Sequence, residues 1–234
     1  MHHKTADAPK TAGRVIHGGI HGAHWYDLFV RVTSFGRDRA IREKLIELAS
    51  PAPGDKVLDV GCGTGTLAIA IKPQVGTGEV HGIDASPEMI QVAKEKSAKD
   101  GSDIDFRVAL IEAIPFPDAS FDLVTSSLML HHLPDNLKAK GFLEIRRVLK
   151  PGGRFMVMDF AAHSHSRLGH HLPSILGHSR GESMVDKLTP MLRDAGFSDV
   201  EGILTRHKNF AFIRARQGVS KTLRTTREKG DAHG

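Results

Sequence analysis

The chain has 234 residues, of which 40% are hydrophobic and 25% are charged, a balance typical of one globular α/β domain and not of a disordered or membrane-spanning chain. No run approaches the about 18 apolar residues that a spanning helix needs, and the only cysteine, Cys62, has no second thiol with which to form a disulfide. The net charge of +5 comes mostly from residues 214–234, which hold six basic and two acidic residues, so no basic face for nucleic acid is indicated.

The two ends of the chain are predicted to lie outside the domain. Residues 1–14 are polar and lack the apolar stretch of a secretory signal, and together with the lone thiol this favours a cytoplasmic protein. We predict a flexible segment over residues 1–20, one domain over 21–215 and a flexible basic tail over 216–234. A solvated tail is the simpler interpretation, and contact of the tail with nucleic acid or an anionic membrane surface stays open.

Strand-like and helical patterns alternate through the first part of the domain. Short apolar runs typical of buried strands cover residues 56–60, 79–83, 104–108, 122–126 and 154–159, and helical patterns cover 66–71, 87–99 and 136–149. Such alternation predicts parallel β-α-β units with right-handed crossovers, and hence a doubly wound sheet.

The pattern changes after residue 159. A helix is predicted over 184–195 with Gly196 at its C-terminal cap, and two strand-like runs follow at 199–205 and 209–214. Only a few residues separate these runs, so they should form a hairpin, and one of them must be antiparallel to the other strands. The predicted fold is therefore α/β, a doubly wound, Rossmann-like sheet of seven mostly parallel strands with one antiparallel strand.

A glycine-rich loop follows the first predicted strand. Gly61, Gly63 and Gly65 alternate with Cys62 and Thr64. Glycines let the backbone turn tightly and let a ligand lie against it without Cβ atoms in the way. A dinucleotide site needs the third glycine one residue later, where the N-terminus of a helix holds a pyrophosphate, so the spacing argues against a dinucleotide.

Two acids flank this loop. Asp59 lies in the strand just before it, where it would repel phosphates but suit a cationic amine. Asp84 ends the second strand about 20 residues after the loop, where a carboxylate can accept both hydroxyls of a ribose. Asp84 could instead cap the following helix, although Ser86 followed by Pro87 is the better cap. Together the loop and the acids indicate a nucleoside that carries positive charge and no pyrophosphate.

These motifs resemble those of the class I S-adenosylmethionine (SAM)-dependent methyltransferases over about residues 25–160. The resemblance includes residues 59–65 as the glycine loop, Asp84 as the ribose acid, 115–122 (PFPDASFD) before the fourth strand and 149–153 (LKPGG) before the fifth. Within this class, residues 25–28 (WYDL), 34–36 (SFG) and Arg39 are similar to the UbiE-like branch, the ubiquinone and menaquinone C-methyltransferases with their phospholipid and sterol relatives.

The resemblance implies a methyltransferase fold, SAM as the methyl donor and a set of positions that contact it. Those positions are Asp59, Gly61, Cys62, Gly63, Thr64, Gly65, Asp84, Ala85, Leu110, Ile111 and Ser126. The family usually places Asp or Asn after the third strand to accept from the adenine amine, and here that position is Leu110. Adenine is therefore expected under an apolar cover of Ile83, Ala85, Leu110 and Ile111, with backbone groups supplying the hydrogen bonds.

The acceptor side is expected at the carboxyl end of the fourth strand, where α/β sites are built. His131 and His132 follow that strand and are candidates for a general base, which is needed only if the acceptor loses a proton; a structural histidine is the alternative for each. Tyr26 lies on N-terminal helices that the resemblance places as a lid over the cofactor, and packing is its alternative. The implied acceptor is a small or lipid-like molecule, either a quinone precursor or a phospholipid headgroup.

A histidine-rich segment follows the fifth strand. Five histidines fall within residues 163–178, but cysteines and a carboxylate cluster are missing nearby, so no metal site is expected. The apolar residues of this segment could form an amphipathic cap over the acceptor or against a membrane surface, and core packing is the alternative. Two other function classes stay open, a silent SAM-binding module and an NAD(P)-dependent oxidoreductase, and the sequence does not indicate the oligomeric state.

Overall fold

A seven-stranded sheet lies at the centre of the computed structural model, which describes residues 38–161 and 183–218. Its strands are β1 (Val57–Val60), β2 (Val80–Asp84), β3 (Asp105–Val108), β4 (Phe121–Ser127), β5 (Leu149–Phe160), β6 (Phe197–Ile203) and β7 (Phe210–Gln217). The helices are α1 (Asp38–Ala49), α2 (Thr66–Val75), α3 (Pro87–Asp100), α4 (Asp135–Val148) and α5 (Met184–Asp194), and a short 3₁₀ turn covers Leu130–His132.

The strand order is β3-β2-β1-β4-β5-β7-β6. Strands β1 to β5 are parallel to one another, whereas β7 is antiparallel to both of its neighbours. The structure therefore confirms the doubly wound, mostly parallel sheet and its one antiparallel strand. The strand order reverses between β1 and β4, and ligands of such sheets bind beside this point where the parallel strands end. We call that side of the molecule the carboxyl end of the sheet, and the opposite side its amino end.

The core lies on both faces of the sheet, because parallel strands covered by helices on two sides are apolar on two sides. Helices α1, α2 and α3 cover one face, where Leu45, Ile71 and Leu123 are buried. Helices α4 and α5 cover the other face, where Leu58 and Phe142 are buried. The two faces hold separate hydrophobic clusters, and the sheet separates them.

Side chains alternate between these two faces along each strand. Val57 packs on the face of α1, α2 and α3, so Asp59, two residues further along β1, points to the same face. Val157 packs on the face of α4 and α5, so Asp159, two residues further along β5, points there. The two acids therefore lie at the carboxyl end of the sheet but on opposite faces of it.

In the first part of the domain, α2 and β5 run furthest past their predicted bounds. α2 continues through Pro73 to Val75, although proline removes a backbone donor, because Ile71 and Val75 are both fully buried against the sheet. β5 begins earlier than predicted, since Leu149 already pairs with Phe121 before a shift in register. The Pro-Gly-Gly segment is therefore an irregular part of the strand and not a loop before it.

The C-terminal part of the described chain has the predicted helix and hairpin, but β7 continues to Gln217, so Arg216 and Gln217 belong to the sheet and not to the predicted tail. Gly196 follows α5 with a φ of +89°, and β6 and β7 pair directly as the predicted hairpin. No helix in residues 38–161 and 183–218 is long and apolar enough to cross a bilayer. Residues 1–20 and most of the predicted tail, 219–234, lie outside the described residues, so the domain boundaries stay predictions.

Candidate active site

The glycine loop joins β1 to α2 at the carboxyl end of the sheet. Gly61, Gly63 and Gly65 have φ angles of +70°, +53° and +76°, a region in which residues with a Cβ are strained. A Cβ on Gly65 would also lie 2.6 Å from the Phe106 ring, and one on Gly61 would collide with the Met129 side chain. The loop therefore needs glycine for its backbone shape and for the packing around it.

Asp84 ties this loop to the start of α3. Its Oδ2 accepts from the backbone N–H of Gly63 at 2.9 Å, and its Oδ1 accepts from that of Ser86 at 2.9 Å. The N-cap of α3 is Ser86, whose hydroxyl accepts from the N–H of Met89 at 3.3 Å, so Asp84 does not cap the helix. A carboxylate offers about four acceptor sites, so Asp84 keeps acceptor capacity beyond these backbone bonds. Burial raises the pKa of Asp84, against the backbone hydrogen bonds that lower it.

Asp59 is the most deeply buried acid beside the loop, with 1% of its surface exposed. Its Oδ1 accepts from the Thr125 hydroxyl at 2.8 Å, while its Oδ2 has no hydrogen-bond partner among the described residues. Burial raises the pKa of Asp59 to about 7; the hydrogen bond from Thr125 opposes this, the nearby Asp84 adds to it, and Arg42 opposes it. A desolvated carboxylate with one free oxygen is suited to a cationic ligand.

The other predicted cofactor positions fall into two groups. Thr64 and Ser126 are buried polar side chains; Lys96 donates to the Thr64 hydroxyl at 3.2 Å, and the Ser126 hydroxyl has no partner among the described residues. Ala85 and Leu110 are partly exposed, Cys62 is buried within the loop, and Ile83 and Ile111 belong to the hydrophobic core. The side chain of Ile111 packs against Gly141 of α4.

A second group of polar residues lies at the carboxyl end of β4 and β5. Nδ1 of His131 is 2.7 Å from Oδ1 of Asp159, and the backbone N–H of His131 donates to Oδ2 of the same carboxylate at 3.0 Å. Asp159 is fully buried. The segment before this turn contains Leu128 at a φ of +52°, and its N–H donates to the carbonyl of Met158 at 2.9 Å. Asp159 is missing from the sequence-based predictions, although an acid at the end of β5 is a signal that could have found it.

Aromatic rings surround His131. The His132 ring centroid lies 3.8 Å from that of His131, and the Phe160 ring meets His131 edge to face at 5.0 Å. Phe160 also stacks on Phe210 at 5.7 Å and is 43% exposed. Burial and then the neighbouring His131 lower the pKa of His132, while Asp159 opposes them. The result is a flat apolar wall, Phe160 and Phe210, beside an imidazole.

Comparisons with known proteins agree on one family. A family model described as a methyltransferase domain matches residues 57–153. The demethylmenaquinone methyltransferase of Thermus thermophilus is 39% identical over 135 residues, which are 58% of this chain and 60% of that protein. The ubiquinone/menaquinone biosynthesis C-methyltransferase UbiE of Shewanella halifaxensis is 33% identical over 242 aligned positions, covering 90% of this chain and 95% of that protein. The chain belongs to the UbiE-like branch of the class I SAM-dependent methyltransferases.

A solved structure supports the same assignment. The SAM-dependent methyltransferase of Aquifex aeolicus is 26% identical to this methyltransferase and superposes with a TM-score of 0.61 over 75% of this chain and 88% of its own. The chain is thus an enzyme with SAM as its methyl donor and a small molecule as its acceptor. No comparison favours the two alternatives, a silent SAM-binding module or an NAD(P)-dependent oxidoreductase.

The residues of this methyltransferase fit SAM chemically. SAM carries a sulfonium, an ammonium and a ribose, and it supplies an activated methyl group. The free Oδ2 of buried Asp59 is complementary to positive charge, and the two oxygens of Asp84 have the remaining acceptor capacity that two ribose hydroxyls require. The glycine loop between them presents backbone without Cβ atoms.

Two predicted parts of the site lie outside the described residues. Tyr26, with the N-terminal lid, precedes residue 38, and the histidine-rich segment 163–178 falls in the gap between residues 161 and 183. The lid, the amphipathic cap and the expected lack of a metal site therefore stay predictions. Within the described ranges no group of three or more His, Cys, Asp or Glu side chains is arranged to hold a metal ion.

Proposed function

We propose that this methyltransferase moves the methyl group of SAM to a quinone precursor, an aromatic ring that carries a hydroxyl. The observation that carries the proposal is the aromatic wall of Phe160 and Phe210 beside His131, at the same end of the sheet as the glycine loop. A flat ring can stack on such a wall, and aromatic faces also attract the ammonium of a headgroup. The activities for which the Thermus and Shewanella relatives are named favour the quinone precursor of these two acceptors.

On the cofactor side, we assign Asp59 to the positive charge of SAM and Asp84 to its ribose. The loop residues Gly61 to Gly65 then lie along the methionine and sugar. Leu110 and Ala85, both partly exposed at the carboxyl end of the sheet, cover the adenine, and Ser126 lines the site from β4. Ile111 acts indirectly in this arrangement, because its side chain packs in the core and supports the loop that carries Leu110.

On the acceptor side, His131 and His132 are the residues that we assign to the proposed ring, and Tyr26 stays a predicted part of the lid over the cofactor. In-line positioning in a site that excludes water supplies much of the acceleration, because SAM is already activated. The cytoplasmic location and a peripheral membrane contact near a lipid-like acceptor belong to the same proposal. So does a domain that starts at residue 21 and ends with β7 at Gln217. A membrane contact would bring the enzyme to an acceptor that is itself dissolved in lipid.

The test is methyl transfer from SAM with a labelled methyl group to two acceptors, reduced demethylmenaquinone and phosphoethanolamine. We expect labelled product from the quinone precursor alone, with a mass gain of about 14 Da per turnover, roughly one CH₂. Methylation of phosphoethanolamine alone would contradict the proposal. A protein that binds SAM but methylates neither compound would also contradict it.

A matched pair of variants connects the aromatic wall to the acceptor. Phe160→Ala should raise the KM for the quinone precursor about tenfold, equivalent to about 1.4 kcal/mol for a lost aromatic contact. Leu143→Ala removes another exposed apolar side chain, 55% exposed on α4, and should leave this KM unchanged. Equal effects of the two substitutions would contradict a specific role for Phe160.

A further inference from the structure

We propose that Asp159 is the positioning residue that makes His131, and not His132, the base of the methyl transfer, with Nε2 as the atom that takes the acceptor's proton. This inference rests on the proposed function, because only an acceptor that carries a removable proton needs a base. The inference distinguishes His131 from His132. It also assigns a role to Asp159, a buried acid at the end of β5.

The hydrogen bonds of Asp159 hold His131 in one orientation. The carboxylate is fully buried and accepts from three donors: Nδ1 of His131 at 2.7 Å, the backbone N–H of His131 at 3.0 Å and the backbone N–H of Phe160 at 2.8 Å. Two of these bonds go to the backbone and ring of one residue. They fix the position of the His131 ring relative to β5 and leave it little rotational freedom.

The same geometry selects the tautomer of the imidazole. A carboxylate that already receives two backbone N–H groups is an acceptor, so the short contact to Nδ1 requires a proton on Nδ1. In a neutral imidazole the lone pair is then on Nε2. Since 22% of the His131 side chain is exposed, the ring is accessible beside the aromatic wall. The base therefore presents the nitrogen that is not bound to Asp159.

His132 lacks this arrangement. Both oxygens of Asp159 are used by His131 and Phe160, and burial together with the neighbouring His131 lowers the pKa of His132. The His132 ring, 3.8 Å from that of His131, packs beside the base and helps to exclude water from it. Its loss should loosen the site without removing the proton acceptor.

The proposed step balances in protons and electrons. Nε2 of His131 forms a bond to the hydroxyl proton of the acceptor, and the O–H bond breaks with its electron pair left on the acceptor. That pair, on oxygen or delocalised to a ring carbon, forms the bond to the methyl carbon. The carbon–sulfur bond breaks with its electrons passing to sulfur, and S-adenosylhomocysteine leaves as a neutral thioether. The proton on His131 then passes to solvent, which restores the base. Where the methyl has gone to a ring carbon, the hydrogen of that carbon leaves as a proton and the oxygen takes a proton back, which restores the aromatic ring.

The first experiment compares Asp159→Asn with a matched variant, Asp122→Asn. Asp122 also accepts a backbone N–H, that of Lys56 at 2.9 Å, but it lies at the amino end of the sheet. With the quinone precursor as acceptor, we expect Asp159→Asn to lower kcat by about 10²- to 10⁴-fold, as for loss of an oriented base. The dissociation constant for SAM, measured by calorimetry, should stay the same, which shows that the variant is folded. Asp122→Asn should keep the parent's kcat.

An acceptor analogue that is already ionised at the assay pH distinguishes a role of Asp159 in proton removal from a structural role. A nitro-substituted naphthol needs no base, so the loss caused by Asp159→Asn should shrink to less than about tenfold with it. A merely structural role would lower kcat equally for both acceptors, and that result would overturn the proposal. So would a His131→Ala variant that keeps the parent's kcat with the neutral acceptor, or a His132→Ala variant that loses more than His131→Ala.

A spectroscopic measurement does not depend on the acceptor. In protein labelled with ¹⁵N-histidine, the ring-nitrogen chemical shifts at a pH where His131 is neutral should show a proton on Nδ1 in the parent. The proton should move toward Nε2 in Asp159→Asn. A proton on Nε2 in the parent would overturn the proposal. If neither acceptor is methylated while the Nδ1 proton is observed, the proposed acceptor is wrong and the Asp159–His131 geometry stands.

Discussion

The two ends of the sheet hold carboxylates in opposite settings. At the amino end, each of four acids meets a cation: Asp55 with Arg154 at 2.6 Å, Glu79 with Lys56 at 2.8 Å, Asp105 with Arg107 at 2.6 Å and Asp122 with Lys150 at 2.7 Å. The hydrogen bond from Lys56 lowers the pKa of Glu79. Burial opposes the effect at Asp122, but Lys150 and the backbone N–H of Lys56 lower its pKa as well.

At the carboxyl end, the buried Asp59 and the partly buried Asp84 accept hydrogen bonds from neutral donors. Asp59 bonds to a hydroxyl, and Asp84 bonds to backbone N–H groups. Burial raises the pKa of both carboxyls. Carboxylates therefore stabilise the fold through ion pairs at the amino end of the sheet. At the carboxyl end, Asp59 and Asp84 are available to bind a cationic ligand. Negative charge that costs stability in the free protein is what a cationic cofactor can neutralise.

The largest expected difference between the two ends comes from paired glycine substitutions. Gly63→Val should lower the affinity for SAM by about 100-fold or more, because a branched side chain would fill the space in which the cofactor meets the backbone. Gly76→Val is the control: Gly76 has a similar φ of +55°, with open space around it. Both variants should lose about 1 to 3 kcal/mol of stability to backbone strain, but only the first should lose SAM binding in calorimetry.

Replacement of Asp84 should give the next largest loss of SAM affinity. Asp84→Ala is expected to weaken SAM binding by about 1.5 to 3 kcal/mol, the range for hydrogen bonds to a charged group. Ser86→Ala serves as the control, since it removes the cap of α3 and should cost about 1 kcal/mol of stability with little change in SAM affinity. A loss in SAM affinity of less than about 0.5 kcal/mol for Asp84→Ala would show that this carboxylate only supports the loop.

The raised pKa of Asp59 predicts opposite pH effects on folding and on binding. Between about pH 4 and pH 7 the folded state keeps a proton on Asp59 that the unfolded state has lost, so the stability of the free enzyme should fall as the pH rises through this window. SAM affinity should rise over the same range, by up to about tenfold per pH unit, because a cation binds the ionised form. Asp59→Asn should flatten the pH dependence of stability and that of SAM affinity. If the pH dependence of SAM affinity stays unchanged in this variant, Asp59 is not part of the cofactor site.

A substitution at the amino end of the sheet should give the smallest change, a small loss of stability. Lys150→Ala breaks a partly exposed ion pair with Asp122 and should cost about 0.2 to 1 kcal/mol in thermal unfolding, with SAM affinity unchanged. Because the folded-state pKa of Asp122 is lowered, the stability it contributes is present above the unfolded-state pKa near 4 and lost as the pH falls further. The parent and Lys150→Ala should therefore converge in stability in acid, whereas divergence below pH 4 would contradict this account.

Local patterns were sufficient to predict most of the fold. Apolar runs gave the strands because both faces of a parallel sheet are buried, and the spacing of Gly61, Gly63 and Gly65 gave the loop beside Asp59. The end of α2 was missed because Pro73 is a helix-breaking signal in the sequence, and burial of Val75 in three dimensions overrides it. The start of β5 was missed for the same reason, since pairing of Leu149 with Phe121 is a tertiary contact.

The candidate site was harder to predict where it depends on distant partners. His131 was predicted as a site residue from its place after β4. Its bond to Asp159 joins residues far apart in the sequence and depends on β4 and β5 being neighbours. The free oxygen of Asp59 is likewise a property of packing. Ile111 was predicted to cover adenine from its sequence position, and its burial against Gly141 depends on where α4 crosses the sheet.

Cys62 combines a buried position beside the glycine loop with a low expected reactivity. Burial, then the negative charges of Asp59 and Asp84, raise the pKa of this thiol well above its usual value, and the thiolate rather than the thiol attacks electrophiles. Oxidised quinones are electrophiles that alkylate thiolates. Since the chain contains a single cysteine, we expect the oxidised form of the proposed acceptor to meet little thiolate in this enzyme. For the same reason, one cysteine introduced on the surface would be a clean attachment point for a spectroscopic label.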